Sequence, residues 1–250
     1  GILLSATHVA WSMQFFQRLG RAIFQSPQYT QAVASKFAGY TSKLCRTSFD
    51  AGLWSSKPPY YTRIAKELQR HGRLNAGASV LDLGCGCGTL LYHFLKVEPQ
   101  LELYGLDLAE PAVAFAQTKL PQGHFTFASM SNLSFIKSDS ISLVVTLGSM
   151  SYLPILQSLC DTLHEVIRVL KKPLGQAWLG KSGLDGCGPG FLRPPMSFVQ
   201  EHCLGKDSGW RLIRLHSNSE KCAYMMTQHP DQVLDNLDRP ENRRLTRVKK

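Results

Sequence analysis

Acidic residues are missing from both ends of this 250-residue chain. Residues 1–49 carry five basic side chains (Arg18, Arg21, Lys36, Lys43 and Arg46) and no carboxylate, and residues 242–250 carry five more, again without one. The formal charge of +10 therefore sits at the ends, because the remaining 18 basic residues balance all 18 acidic ones. A domain that grips nucleic acid presents its basic face on the folded body. Recognition of RNA or DNA through this body is accordingly disfavoured, and the termini are either solvated or touch an anionic surface.

Other absences narrow the choice further. No C-x-x-C pair occurs among the seven cysteines, Cys45, Cys85, Cys87, Cys160, Cys187, Cys203 and Cys222. Zinc needs about four convergent ligands, and a secreted disulfide framework uses an even, regularly spaced set. The expectation is reduced thiols and no metal site. The apolar stretch Ile2–Phe16 is interrupted by His8 and Gln14 and is shorter than the roughly 20 residues that span a bilayer. No transmembrane segment is expected.

What is present fits one folded unit. With 44% apolar residues the chain can bury a substantial core, and apolar strand-like runs alternate with helical stretches, which points to helices on both faces of a mostly parallel sheet. The most informative run is Val80-Leu81-Asp82-Leu83-Gly84-Cys85-Gly86-Cys87-Gly88-Thr89, an apolar strand that ends in alternating glycines and passes into an apolar helix. Glycines there let the backbone turn sharply and approach a ligand beside a helix N-terminus. Leu101–Leu106 reads as the next strand, and Asp107 at its end lies 23 residues beyond Gly84, near where nucleotide folds place a ribose-binding carboxylate. A dinucleotide fingerprint would need a third glycine at Thr89, and none is there.

The stretch D-L-G-C-G-C-G at residues 82–88 instead resembles the first motif of class I S-adenosylmethionine-dependent methyltransferases of the small-molecule type, and Gly105-Leu106-Asp107-Leu108 resembles their second-strand motif. The order of later landmarks is similar: Phe125–Met130 as third strand and adenine turn, Leu143–Leu153 as fourth strand and loop, and Leu163–Pro173 as the helix and turn before a fifth strand at Gln176–Gly180. The resemblance covers roughly residues 60–230. It implies a Rossmann-like three-layer α/β/α sandwich whose seven-stranded sheet is mostly parallel with an antiparallel last strand, formed by Trp210–Leu215 and Cys222–Thr227. It also implies S-adenosyl-L-methionine as cofactor and a small-molecule methyl acceptor.

Carried over residue by residue, the resemblance gives a cofactor set. Asp82 steadies the turn and the methionine end, Gly84, Cys85, Gly86 and Gly88 allow close approach, and Asp107, beside Leu108, holds the ribose hydroxyls. Ser129 and Met130 flank adenine, and Leu147 and Gly148 end the fourth strand. Ser129 stands where many relatives have Asp, and Leu174-Gly175 replaces a glycine pair. The loop Gly148–Leu153 contains no Asp/Asn-Pro-Pro-aromatic motif, which disfavours adenine, exocyclic-amine and glutamine methylation. Tyr152 is the one candidate for orienting the acceptor or moving its proton, with aromatic packing as the other reading. Trp54, Tyr60 and Tyr61, like Tyr40, are candidates for contacting substrate or for plain core packing. Lys57-Pro58-Pro59-Tyr60 lacks the amide or carboxylate of an amine-holding motif and precedes the first strand, so it carries no such role.

The expected organisation is then an N-terminal helical segment at 1–59, a methyltransferase domain at 60–228 and a basic tail at 229–250. Residues 1–49 hold ten Ser or Thr, no acids, and an amphipathic stretch, Ile2–Phe24. That composition resembles a transit peptide, so the segment reads either as a lid or as a targeting region. The expected location is intracellular, whether cytoplasmic, mitochondrial or another organelle. The glycine- and proline-rich Ser182–Pro195 reads either as a mobile loop near the pocket or as a surface connection. A second function class stays open, a catalytically silent methyltransferase-like domain that serves as an assembly or interaction module.

Overall fold

The computed structural model describes Cys45 and residues 60–188, 192–215 and 220–231. Trp54, Tyr40 and the remainder of the 1–59 segment lie outside the described residues, as does the tail beyond residue 231. One seven-stranded sheet organises the rest, built from β1 (Ser79–Leu83), β2 (Glu102–Asp107), β3 (His124–Phe127), β4 (Leu143–Leu147), β5 (Gln176–Gly180), β6 (Arg211–Arg214) and β7 (Ala223–Thr227). The strand order is β3-β2-β1-β4-β5-β7-β6. The first five strands run parallel, and β7 lies antiparallel between β5 and β6. Around the sheet stand α1 (Tyr60–Arg70), α2 (Thr89–Val97), α3 (Glu110–Lys119), α4 (Leu156–Val169) and the short α5 (Met196–Val199), which continues through a wider turn at Gln200–Leu204.

Both sheet faces are covered, so the central strands are apolar throughout, and their side chains still alternate between two cores. Leu81, Leu83, Val144, Ala177, Leu179, Tyr224 and Met226 pack with Leu159, Leu163 and Val166 of α4. Val80, Leu143, Val145, Trp178, Ala223 and Met225 pack on the other face with Ile64 and Leu68 of α1 and Leu91 and Phe94 of α2. Helical spacing along Tyr60–Leu74 predicts a helix to Leu74, but α1 stops at Arg70. Gly72 adopts φ +67°, and the Gly72 and Arg73 N–H groups donate to the carbonyls of Gln69 and Leu68, which closes the last turn.

The expectation of reduced thiols is corrected by the fold. Disulfides join Cys45 to Cys87, Cys160 to Cys203 and Cys187 to Cys222, and leave Cys85 as the free, buried thiol. The partners are 35 to 43 residues apart in the chain, so local spacing carries no sign of them. The topology brings them together: Cys160–Cys203 ties α4 to the turn after α5, and Cys187–Cys222 ties the connection after β5 to the start of β7.

In that connection the described residues 182–188 and 192–195 are bonded to neighbouring elements. The Tyr224 hydroxyl donates to the Asp185 carboxylate and to the Leu184 carbonyl, while the Met196 N–H donates to Asp185 and the Leu192 N–H to the Ser151 carbonyl. Glycine and proline here shape a turn that neighbours pin down.

Candidate active site

Parallel strands that share one direction bring their carboxyl ends to one edge of the sheet, where ligands of open α/β sheets bind. The register sets Phe127 beside Asp107, Leu106 beside Leu83, and Leu147 beside Gly180 along that edge. The glycine turn leaves β1 here. Gly84, Gly86 and Gly88 have φ of +79°, +51° and +75°, the left-handed region that other residues reach at a cost. Gly84 is also pressed from above, since a Cβ on it would stand 2.3 Å from the Cβ of Ser149. Gly86 is the opposite case, with nothing within 4 Å of where a Cβ would be. The turn thus has a packed shoulder at Gly84 and an open face at Gly86.

Asp107 closes the turn from the next strand. Its carboxylate accepts the Gly86 N–H at 2.8 Å and the Ala109 N–H at 2.9 Å, and the Gly84 and Cys85 N–H groups donate to the Leu106 carbonyl. Burial raises the Asp107 pKa, and the amide donors from Ala109, Gly86 and Leu108 oppose that rise. Asp82 is buried on β1 and forms no ion pair among the described residues. Its carboxyl is pushed up to about 8, first by burial and then by the Asp107 charge. Burial, followed by the charges of Asp82 and Asp107, also holds the Cys85 thiol well above its usual range, so Cys85 packs as a neutral group.

The side chains around the turn complete a cradle. Ser129 and Met130 follow β3, half-buried, and the Met130 methyl reaches to 3.7 Å from the Cβ position of Gly84. Their segment is anchored from α4, where Glu165 accepts the Leu133 N–H at 2.7 Å and pairs with Arg168, whose guanidinium donates to the carbonyls of Leu133 and Ile136. Leu108 is half-buried beside Asp107. Leu147 and Gly148 end β4, and the Gly148 N–H donates to the Gly180 carbonyl. Ser149 is a residue that sequence reasoning missed: its hydroxyl donates to the Leu83 carbonyl and meets the Thr146 hydroxyl, which locks the β4 loop onto the end of β1. A lone Ser in a Gly-Ser-Met-Ser run carries no signal of that contact.

On the β5 side of the edge the residues are of another kind. Tyr152 is half-buried on the turn Met150–Tyr152. The Tyr60 hydroxyl donates to the carboxylate of Glu220, whose side chain is 5% exposed. Lys181, directly after β5, stands 3.7 Å from Glu220 and 4.8 Å from the Tyr60 ring centroid. It adopts φ +48°, a strained conformation for a lysine. Tyr61 faces α2, stacks on His93 at 5.8 Å, and lies beside the Thr62 hydroxyl, which is 2.9 Å from His93 Nδ1. Burial, with Lys96 nearby, pushes His93 down to about 4, so it is a neutral ring in a helix–helix contact. Lys181 and Glu220 were absent from the sequence-derived set, and their meeting depends on the antiparallel return of β7.

The arrangement fits an adenosyl sulfonium cofactor. The open face at Gly86 admits a ligand against backbone, Asp107 offers carboxylate oxygens beside it, and Asp82 is a buried carboxylate without a cation. Among the described residues no group of His, Cys, Asp and Glu could hold a metal ion, and no helix is long and apolar enough to cross a membrane.

Comparison with known proteins agrees with this geometry. A family model described as a methyltransferase domain matches residues 80–173, from β1 to the turn before β5. A curated relative, an uncharacterized protein of Rickettsia prowazekii (strain Madrid E), is 25% identical over 133 residues, and the chain spans about half of that protein's length (52%, against 52% of this chain). The fold is similar to that of a TehB-like SAM-dependent methyltransferase from Corynebacterium glutamicum, at a TM-score of 0.54 and 18% identity, covering 74% of this chain and 97% of the other. It is also similar to a SAM-dependent methyltransferase from Aquifex aeolicus, at a TM-score of 0.50 and 17% identity, covering 74% and 96%. Residues 80–173 thus match a methyltransferase-domain family, and the fold is one shared with S-adenosylmethionine-dependent methyltransferases.

Proposed function

We propose that the chain transfers a methyl group to a small-molecule acceptor seated on the β4–β5 side of the carboxyl edge. The observation that carries the reading is the pairing of the open face at Gly86 with the Asp107 carboxylate, which is held 2.8 Å from the Gly86 amide. When bound, S-adenosyl-L-methionine supplies an electrophilic methyl group on a sulfonium. Asp107 would hold the ribose hydroxyls, Asp82 the methionine ammonium, and Ser129 and Met130 would flank the adenine. Gly84 to Gly88 let the backbone lie close.

Because displacement at a sulfonium needs in-line alignment and exclusion of water, much of the acceleration comes from positioning, and a base is needed only for a protonated acceptor. Tyr152, on the loop after β4, would orient that acceptor. The charge-balanced body and the tied-down connection after β5 favour a small acceptor over a macromolecule.

The test is calorimetry with S-adenosyl-L-homocysteine on the full chain and on Asp107→Ala, followed by acceptor screening that reads homocysteine-nucleoside release. The wild-type chain is expected to bind, and Asp107→Ala to lose about 100-fold in affinity or more, as for two charge-assisted hydrogen bonds, with an unchanged far-UV spectrum. Unchanged affinity in the variant removes Asp107 from the site. A wild-type chain that binds no nucleoside would favour the silent assembly module.

A further inference from the structure

One of the three disulfides lies inside the proposed cofactor cradle. Cys87 stands between Gly86, whose N–H holds Asp107, and Gly88, which leads into α2. Its partner Cys45 comes from 42 residues upstream and is fully buried among Ala109, Ala112 and Phe115, the residues that carry the chain from Asp107 into α3. The bond therefore fixes the glycine turn after β1 to a side chain that packs against the shoulder after β2.

We infer that Cys45–Cys87 is a maturation cross-link of the cofactor site, formed by thiol oxidation as the chain folds and required for full affinity toward S-adenosyl-L-methionine. This rests on the assignment of that turn to the cofactor. Three glycines at positive φ give the turn wide conformational freedom when nothing holds it. A covalent link at Cys87 removes part of that freedom before the ligand arrives, which is how preorganisation raises affinity. Cys87 is 4% exposed and Cys45 not at all, so the bond closes while the surrounding cluster is still open and is afterwards shielded from solvent thiols. The neighbouring Cys85 is kept neutral and is a poor competitor for exchange.

The chemistry is ordinary exchange. One cysteine thiolate attacks the disulfide R–S–S–R of a thiol–disulfide oxidoreductase or a low-molecular-weight disulfide and expels R–S⁻, and the second thiolate then displaces R–S⁻ from the mixed disulfide. The two cysteines give up two electrons and two protons, and the reagent leaves as two R–SH. Three such bonds in distant parts of one domain place this folding step in an oxidising compartment.

The full chain, purified without reductant, denatured and alkylated, should take up one label, at Cys85, against seven after reduction, and peptide mapping should recover Cys45 joined to Cys87. Cys45→Ser, compared with the oxidised wild type by calorimetry with S-adenosyl-L-homocysteine, should bind about tenfold more weakly, the effect of a lost loop constraint. Should the variant fail to fold, wild type refolded with and without a disulfide reagent supplies the same comparison. Seven labels on the unreduced chain, or equal affinities of the linked and unlinked forms, overturn the inference while leaving the cofactor site in place. An oxidised chain that binds no homocysteine nucleoside removes the cofactor assignment and this inference with it.

Discussion

The two halves of the carboxyl edge are built from different materials. On the β1–β2 side, backbone does most of the holding: glycines at positive φ, amides aimed at Asp107, and one carboxylate, Asp82, buried without a partner cation among the described residues. On the β4–β5–β7 side, side chains from remote segments lock one another, with Tyr60, Lys181 and Glu220 in one cluster and Cys187–Cys222 and Tyr224–Asp185 beside it. On the proposed assignment, the backbone-built half recognises what every cofactor molecule shares. The side-chain half keeps its shape only through tertiary contacts and, on the same assignment, can change its acceptor by changing residues.

The largest expected effect separates packing from binding within the cofactor half. Gly84→Ala puts a methyl 2.3 Å from the Ser149 Cβ at φ +79°, and it disrupts the hydroxyl that holds the Leu83 carbonyl. A loss of about 3 kcal/mol of stability or more follows from overpacking and left-handed strain together. Gly86→Ala meets open space and should cost only about 1 kcal/mol, from its positive φ. Its methyl would occupy the ligand's side of the turn, so homocysteine-nucleoside affinity should fall at least tenfold. Chemical denaturation and calorimetry on both variants check this. A Gly86→Ala chain that binds like wild type would mean the open face is not where the ligand lies.

The next effect turns on charge. Because the Asp82 carboxyl has its folded value raised to about 8 from an ordinary value near 4, the neutral acid stabilises the ligand-free fold. That contribution is whole below about pH 4 and is lost as pH rises through about 8. A ligand ammonium needs the carboxylate, so binding at neutral pH should release a proton. Affinity for S-adenosyl-L-homocysteine should climb between pH 6 and 8, approaching about tenfold per unit at the acid end. Asp82→Asn should melt higher than wild type at pH 8 without ligand and bind the nucleoside about 100-fold more weakly. A flat affinity profile across that range would remove the ion pair from the assignment.

The same contrast explains what could be read from the sequence. Gly84, Gly86, Gly88 and Asp107 announce themselves because backbone turns and a carboxylate one strand away are fixed by local spacing. The sheet follows from apolar runs at residues 80–83, 143–147 and 176–180, and their burial on both faces leaves no other place for them. Contacts made by topology are silent. Ser149 on Leu83, Lys181 on Glu220 and all three disulfides join residues at least 35 apart, and no residue type within ten positions of either partner marks them. The bonds that hold the described part of the connection after β5 are silent for the same reason. Glycine and proline report that a chain turns, whereas its attachments come from remote residues such as Tyr224, Cys222 and Ser151.

The smallest effect belongs to the β4–β5–β7 half, proposed as the acceptor side. Glu220 accepts the Tyr60 hydroxyl and the Cys222 N–H and faces Lys181, so Glu220→Gln removes a charge from a contact between the start of α1, the end of β5 and the start of β7. Lys181 is 44% exposed and can turn to water, which limits the loss to about 1–2 kcal/mol of stability. Because the contacts described above for these residues do not include the glycine turn, homocysteine-nucleoside affinity should stay within about twofold of wild type, the additivity expected of separate sites. Thermal melting with and without ligand measures both quantities on one sample. If Glu220→Gln weakens nucleoside binding as much as it lowers stability, the two halves of the edge act as one coupled unit, and the division between a backbone-built cofactor side and a side-chain-built acceptor side fails.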